Sequence, residues 1–294
     1  MATAPERLLL RLEWRVIRRL DGRVQGAYRT PYRGSGLDFA GLRGYLEEDD
    51  ARHIDWNATA RLDEPQVRQY TEDRELTVWL VLDRSASMTV GRPGRGKHDV
   101  LDELALILAR LFGRGGNRVG AVLHDGVAAR VVPPGVGRAH ALRIGYELAR
   151  SAAAPPAVTT DFAVMLDAVA SLARRRSLIV IVSDFIGTGE WDKPLLRLVH
   201  RHDVVALRVV DVADDDLPEA GLLVVEDAET GEQLLVDSGD PLFRSRFQAG
   251  VAGRDAALAG RMRRAGVPLH RIDTDRDPVE SLVEVVAATR WRRA

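Results

Sequence analysis

From residue 76 onward the sequence predicts an α/β fold: a doubly wound, mostly parallel sheet with helices on both faces. Two observations carry that expectation. Apolar runs of strand length alternate with amphipathic helical stretches, and such alternation builds parallel strands joined by crossover helices. The runs at 76–83 (LTVWLVLD) and 178–184 (LIVIVSD) are apolar almost throughout, as strands covered on both faces are, and each ends in aspartate. A third run, 204–211, repeats the form. Ligands of doubly wound sheets bind at the carboxyl ends of the strands, near the point where strand order reverses. These aspartates therefore mark where chemistry is expected.

Taken in order, residues 6–20 predict a helix, with Leu9, Leu12, Val16, Ile17 and Leu20 on one face and Arg7, Arg11, Arg15 and Arg18 on the other. Residues 22–44 are Gly-rich and irregular, and 45–61 are polar. After the strand at 76–83 comes a helix at 100–112. Residues 119–123 and 127–132, split by His124-Asp125-Gly126, predict a hairpin. A helix at 162–174 leads into the strand at 178–184. Residues 222–225 and 233–236 flank Glu229-Thr230-Gly231 as a second hairpin. Helix 243–264, strand 267–272 and helix 278–290 close the chain. The expected organisation is a short irregular N-terminal module over 1–75, packed on a main domain over 76–294.

Composition narrows the class of function. Apolar residues make up 46% and charged residues 29% of the 294-residue chain, the balance of a globular protein. Forty-two basic against 43 acidic residues leave a formal charge of −1, where a dedicated nucleic-acid binder shows a basic excess. With no cysteine, disulfides, thiolate zinc sites and cysteine nucleophiles are excluded. No stretch approaches the ~20 apolar residues that span a bilayer. The arginines threaded through residues 7–19 break any signal-peptide core, so a cytoplasmic location is expected.

The first strand runs into Asp83-Arg84-Ser85-Ala86-Ser87, a turn whose alternation points one carboxylate and two hydroxyls to the same side. Oxygen donors without sulfur or a histidine set suit a hard cation such as Mg²⁺ rather than zinc. The same residues also read as a helix cap with serines lining a turn. Two further segments join them: Thr159-Thr160-Asp161 ahead of a helix, and Ser183-Asp184 at the end of the next core strand.

This order of Asp-x-Ser-x-Ser, Thr and Asp on successive strand ends resembles the von Willebrand factor A domain over residues ~76–290. The resemblance implies a metal-ion-dependent adhesion site of Asp83, Ser85, Ser87, Thr160 and Asp184 holding Mg²⁺ (or Mn²⁺), with Thr159 the rival threonine. Upstream, Gly34-x-Gly36-x-x-Phe39, Leu42-Arg43-x-Tyr45, Asp49-Asp50-x-Arg52-x-Ile54-Asp55-Trp56 and Ala60-Arg61 resemble one bacterial A-domain family, that of domain of unknown function 58. Asp38, Glu48 and Thr59 depart from its usual Glu, Gly and Ser. That resemblance implies a MoxR-type AAA+ ATPase as partner, with this chain as a non-enzymatic adaptor for an unidentified client. The competing class is an enzyme using the same Mg²⁺ for phosphoryl or nucleotide chemistry, with Lys97 as a phosphate ligand.

Arg43, Arg52 and Arg61 alternate with Asp49, Asp50 and Asp55 around Trp56, which predicts paired ions. The stretch reads as a brace in which Trp56 packs on the main domain, or as a docking surface through Arg43, Arg52, Asp55, Trp56 and Arg61. Gly91-x-x-x-x-Gly96-Lys97 approaches a phosphate-binding loop, but His98 stands where a Ser or Thr hydroxyl is needed, so a flexible basic surface loop is expected. Asp214-Asp215-Asp216 reads as a solvated loop, and His200-x-His202 lacks the spacing for a shared metal.

Overall fold

The computed structural model describes residues 33–46, 49–71, 76–92, 95–114, 116–151, 161–187, 189–228 and 230–290. The helix expected over 6–20 and both candidate threonines, Thr159 and Thr160, lie outside the described residues. The chain divides into a small unit, Gly26–Glu75, and a large one containing Leu76–Ala294.

The small unit is more regular than its composition suggests. Strand β1 (Arg33–Gly44) pairs antiparallel with β2 (Gln66–Thr71), with register shifts between Arg33 and Asp38 and between Phe39 and Gly41. Those irregularities, together with four glycines in the strand, erase the alternation by which a strand is recognised. Between the strands lie a 3-10 turn (Ala51–His53) and helix α1 (Trp56–Leu62). Asp55 starts the helix, its Oδ1 accepting from the N–H groups of Asn57 at 3.0 Å and Ala58 at 3.1 Å. Arg43 and Asp49 form the expected bidentate pair at 2.6 and 2.5 Å. Arg52 reaches Asp50 only at 3.4 Å. Trp56, the first residue of α1, is 69% exposed.

The large unit is built on β3 (Thr77–Asp83), β6 (Arg118–His124), β7 (Ala129–Gly135), β8 (Leu178–Ser183), β9 (Asp203–Val210) and β12 (Leu269–Asp273). They form one sheet in the order β12-β9-β8-β3-β6-β7, parallel except for the β6–β7 hairpin. This is the doubly wound, mostly parallel sheet that the alternation predicts. From β3 the chain builds outward to β6 and β7, then returns to the other side of β3 for β8, β9 and β12. Strand order therefore reverses between β3 and β8.

Two small ribbons lie outside the sheet: β4 (Gly91–Arg92) with β5 (Arg95–Gly96), and β10 (Leu222–Glu226) with β11 (Gln233–Asp237), the second expected hairpin. The helices are α2 (Lys97–Arg114), α3 (Gly137–Arg150), α4 (Phe162–Leu172), α5 (Asp192–Arg201), α6 (Val212–Asp215), α7 (Pro241–Ala265) and α8 (Pro278–Arg290). Helix α3 was not anticipated; its buried Ala141, Ile144 and Leu148 do carry helical spacing, but it follows directly on Pro133-Pro134-Gly135. Helix α7 has sharp ends for local reasons. Asp240 caps it with Pro241 in the first turn, and Gly266 at φ +71° closes it.

Side-chain alternation divides the core between the two faces. Val78, Leu80 and Leu82 of β3, with Leu178, Val180 and Val182 of β8, pack against α2, α3 and α8. Trp79 and Val81, with Ile179 and Ile181, pack against α4, α5 and α7. Trp79 needs a small neighbour and has one: its register partner is Gly120, where a Cβ would lie 2.9 Å from the ring. Among the described residues no helix is long and apolar enough to cross a membrane.

The burial pattern predicts a contrast in unfolding experiments. Leu80→Ala, in the central strand with no exposed surface, is expected to cost about 3 kcal/mol. Trp56→Ala should change stability by no more than about 0.5 kcal/mol, as surface substitutions do. Urea denaturation of both variants checks this, and a comparable loss in Trp56→Ala would mean that its ring is buried after all.

Candidate metal centre

Strands β3 and β8 are neighbours, so their carboxyl ends bring Asp83 and Asp184 together at the point where strand order reverses. The turn after β3 is shaped by Asp83 itself, whose Oδ1 accepts the Ser85 N–H at 2.9 Å. A 3-10 turn (Ala86–Thr89) follows and sets Ser87 beside Ser85, their Oγ atoms 3.0 Å apart and hydrogen-bonded. Ser87 Oγ then donates to Asp184 Oδ1 at 3.3 Å. Behind them Ser183 Oγ donates to Asp83 Oδ2 at 2.6 Å and accepts the Phe185 N–H at 2.8 Å. Asp83, Ser85, Ser87 and Asp184 thus form one connected set, none more than 3% exposed. Arg84 points the opposite way, as alternation requires, pairing with Asp102 on α2 and donating to the Ser151 carbonyl at 3.1 Å.

The turn after β8 is conformationally demanding. Phe185 adopts φ +58°, a left-handed backbone that an aromatic residue rarely takes. Two hydrogen bonds hold it: the Phe185 N–H to Ser183 and the Ile186 N–H to Asp184 Oδ1 at 3.0 Å. The Phe185 ring stacks on Phe162 at 5.7 Å between centroids, and Phe162 opens α4 one residue after its cap, Asp161. This stacking ties the Asp184 turn to the start of α4.

Burial, reinforced by repulsion from Asp184, pushes the Asp83 carboxyl up to about 7. On the far side of Asp184 stands Lys97, whose Nζ lies 2.8 Å from Asp184 Oδ2 and 3.0 Å from Asp214 Oδ1. Burial alone would depress that ammonium, but the two carboxylates more than offset it and raise it above the ordinary lysine value.

Lys97 corrects one sequence expectation, since it is fully buried at the start of α2 and not on a flexible surface loop. The glycines before it serve the β4–β5 ribbon. Gly91 has φ +137°, and a Cβ there would meet Gly96 Cα at 2.7 Å. Asp214-Asp215-Asp216 is corrected too: Asp214 pairs with Lys97, Asp215 with Arg271, and Asp216 with Arg244 at 3.1 Å. The third strand-end acid, Asp211, is a brace. It caps α6 in a reciprocal capping box with Asp214 and accepts from Thr274 Oγ1 at 2.6 Å. Sequence reasoning missed the Lys97–Asp214 pairing because a span of more than a hundred residues separates the partners and only the sheet order joins them.

The donors fit a hard divalent cation. Two carboxylates and two hydroxyls supply oxygen only, the donor type such an ion takes. No cluster of three or more His, Asp or Glu with metal-binding arrangement exists among the described residues, so a rival site of the zinc type is absent there. Thr160, the fifth residue of the expected set, lies outside the described residues.

One testable consequence concerns His98, adjacent to Lys97 on α2. Burial first, then the charges of Arg84 and Lys97, lower its pKa from 6.5 to about 4, and its Nε2 is buried without a partner. The folded state therefore binds fewer protons than the unfolded state between these values. Stability contributed by neutral His98 is complete above pH 6.5 and lost as pH falls toward 4. Asp102, raised to about 6 chiefly by burial, acts in the opposite sense. Comparison with His98→Gln isolates the histidine: the wild type should lose more stability than the variant between pH 7.5 and pH 4.5 in urea titrations. Equal losses would contradict the assignment.

Comparison with known proteins agrees with the sequence resemblance. A family described as "Protein of unknown function DUF58" matches residues 41–257. Uncharacterized protein Rv1480 of Mycobacterium tuberculosis is 39% identical over 279 residues, covering 95% of this chain and 88% of its own length. A shorter uncharacterized protein of Mycobacterium avium is 35% identical over 161 residues, 54% of this chain and 94% of its own. Among solved structures, the conserved hypothetical protein BatB from Bacteroides thetaiotaomicron aligns with a TM-score of 0.44 and 12% identity, over 73% of this chain and 98% of that one. An aerotolerance-related membrane protein from Bacteroides fragilis aligns at 0.48 and 14%, over 74% and 99%. At these scores the structural likenesses add nothing to the topology described above. The sequence matches are decisive: the chain belongs to the family of proteins of unknown function DUF58.

Proposed function

We propose that this protein is a metal-ion-dependent protein-binding module, an adaptor that works with a MoxR-type AAA+ ATPase. The observation that carries the reading is the connected set Asp83, Ser85, Ser87 and Asp184, placed where strand order reverses. Ser85 and Ser87 offer hydroxyls to the cation, and Asp83 and Asp184 hold it directly or through water, with Thr160 as the fifth donor. With so few carboxylates, a bound Mg²⁺ or Mn²⁺ keeps an open position for a Glu or Asp side chain from the partner. The ATPase partner follows from the family resemblance, and in that division of labour the ATPase does the work while this chain recruits the client. The exposed Trp56, with Arg43, Arg52, Asp55 and Arg61 on the same small unit, favours a docking surface there over a buried brace.

The direct test is metal binding by the purified protein. Calorimetry should find one site of modest affinity for Mg²⁺ or Mn²⁺, abolished by Asp83→Ala with the fold intact. Equal binding by the variant would remove the site from this position.

A pull-down addresses the function. EDTA, and the double change Ser85→Ala with Ser87→Ala, should weaken capture of the AAA+ ATPase to a similar degree. A metal–carboxylate bond at an interface centre is worth ~2 kcal/mol or more, so the loss should be about thirtyfold or greater. Added salt should matter less, because a desolvated contact is weakly screened. Capture unaffected by EDTA would discard the adhesion mechanism and leave the Trp56 surface as the interface. The purified chain should hydrolyse no ATP, and turnover above a buffer blank would favour the enzyme reading.

A further inference from the structure

The strand-end site already contains a cation, supplied by the chain. Lys97 enters from the first turn of α2, has no exposed surface, and places Nζ 2.8 Å from Asp184 Oδ2. The other carboxylate oxygen, Asp184 Oδ1, faces the hydroxyl of Ser87 at 3.3 Å. Asp184 is thus divided, one oxygen toward the hydroxyl donors and one toward the ammonium.

A buried lysine is costly unless paired and hydrogen-bonded on several sides, and a purely structural peg in an apolar core would be better served by a methionine or leucine. The surroundings are built for the charge. Asp214 Oδ1 takes the second bond at 3.0 Å, and Asp214 is itself fixed because its Oδ2 accepts the Asp211 N–H at 2.9 Å. The Gly91–Gly96 ribbon, which tolerates no side chain at Gly91, leads directly into Lys97.

We propose that Lys97 is the resident cation of the metal centre and sets its affinity. By neutralising part of the charge on Asp184, the ammonium lowers the attraction of the site for a divalent ion alone. Tight retention of the ion then depends on an acidic side chain from outside the chain, which makes the centre selective for an acidic partner surface. This inference rests on the adhesion reading and adds to it the residue that governs cation affinity. Asp214 shares the ammonium, so the more Lys97 is drawn toward Asp214, the more of Asp184 is free for the ion.

Two variants move the affinity in opposite directions. Lys97→Met removes the competing charge, and Mg²⁺ or Mn²⁺ should bind about tenfold tighter or more than to the wild type. Asp214→Asn keeps the lysine and turns it wholly to Asp184, so the same ions should bind several-fold more weakly. Calorimetry with Mg²⁺ and titration of the Mn²⁺ electron paramagnetic resonance signal read both changes on the purified full chain. Thermal melting supplies a further readout. Lys97→Met should melt below the wild type without divalent ion and gain more than the wild type when it is added. Asp214→Asn retains the buried ammonium, so its result decides the matter if Lys97→Met does not fold. The inference is overturned, with the adhesion reading intact, if the wild type binds Mg²⁺ and Lys97→Met binds it no more tightly, or if Asp214→Asn binds it more tightly. Should neither the wild type nor either variant take up Mg²⁺ or Mn²⁺, both readings fall together.

Discussion

The constraint on which the site depends is the register between β3 and β8. Parallel pairing of Leu82 with Val182 brings Asp83 level with Ser183, whose hydroxyl it accepts, and places Asp184 one residue further along the same edge. Burial first, then the charge of Asp184, pushes the Asp83 carboxyl up to about 7. The strands cannot slip. Each buries alternate side chains on both faces, and a shift of one residue would exchange Val78, Leu80 and Leu82 with Trp79 and Val81 between two different cores. Hydrophobic packing on both faces therefore fixes where the two buried carboxyls stand.

Around that edge the chain commits its turns to a single task. The Asp83 side chain folds the turn that delivers the serines, and Ser183 clamps Asp83 while holding Phe185 in its left-handed conformation. Phe185 in turn stacks on Phe162 at the start of α4, and Trp191 lies 5.8 Å from Phe162 between ring centroids. The polar network thus rests on an aromatic cluster that packs it from one face of the sheet. On the other face Arg84 anchors the same turn to α2 and to the end of α3. A site fastened on both faces is held in geometry by the core itself, which suits preorganised binding.

Much of this was legible in the sequence because the signals are local. Unbroken apolar runs ending in aspartate identify β3 and β8, and alternation within Asp83-Arg84-Ser85-Ala86-Ser87 separates the residues that face the site from the one that faces α2. The turns at Asp125-Gly126 and Thr230-Gly231 mark the two hairpins. What was illegible depends on contacts between distant segments. Lys97 looks like loop composition until the fold sets it beside Asp184, and the strands of the small unit are concealed by glycines and register shifts.

The acidic run at 214–216 shows how much position can matter within uniform composition. Three consecutive identical side chains are bound to three different elements, Asp214 to α2, Asp215 to β12 and Asp216 to α7. Each aspartate answers to a different arginine or lysine, so the residues are chemically equivalent and geometrically distinct. Losing or gaining one residue in this surface segment would reassign all three bonds at once, although overall charge and hydropathy would scarcely change. The spacing of this stretch is therefore tied to the positions of Lys97, Arg271 and Arg244.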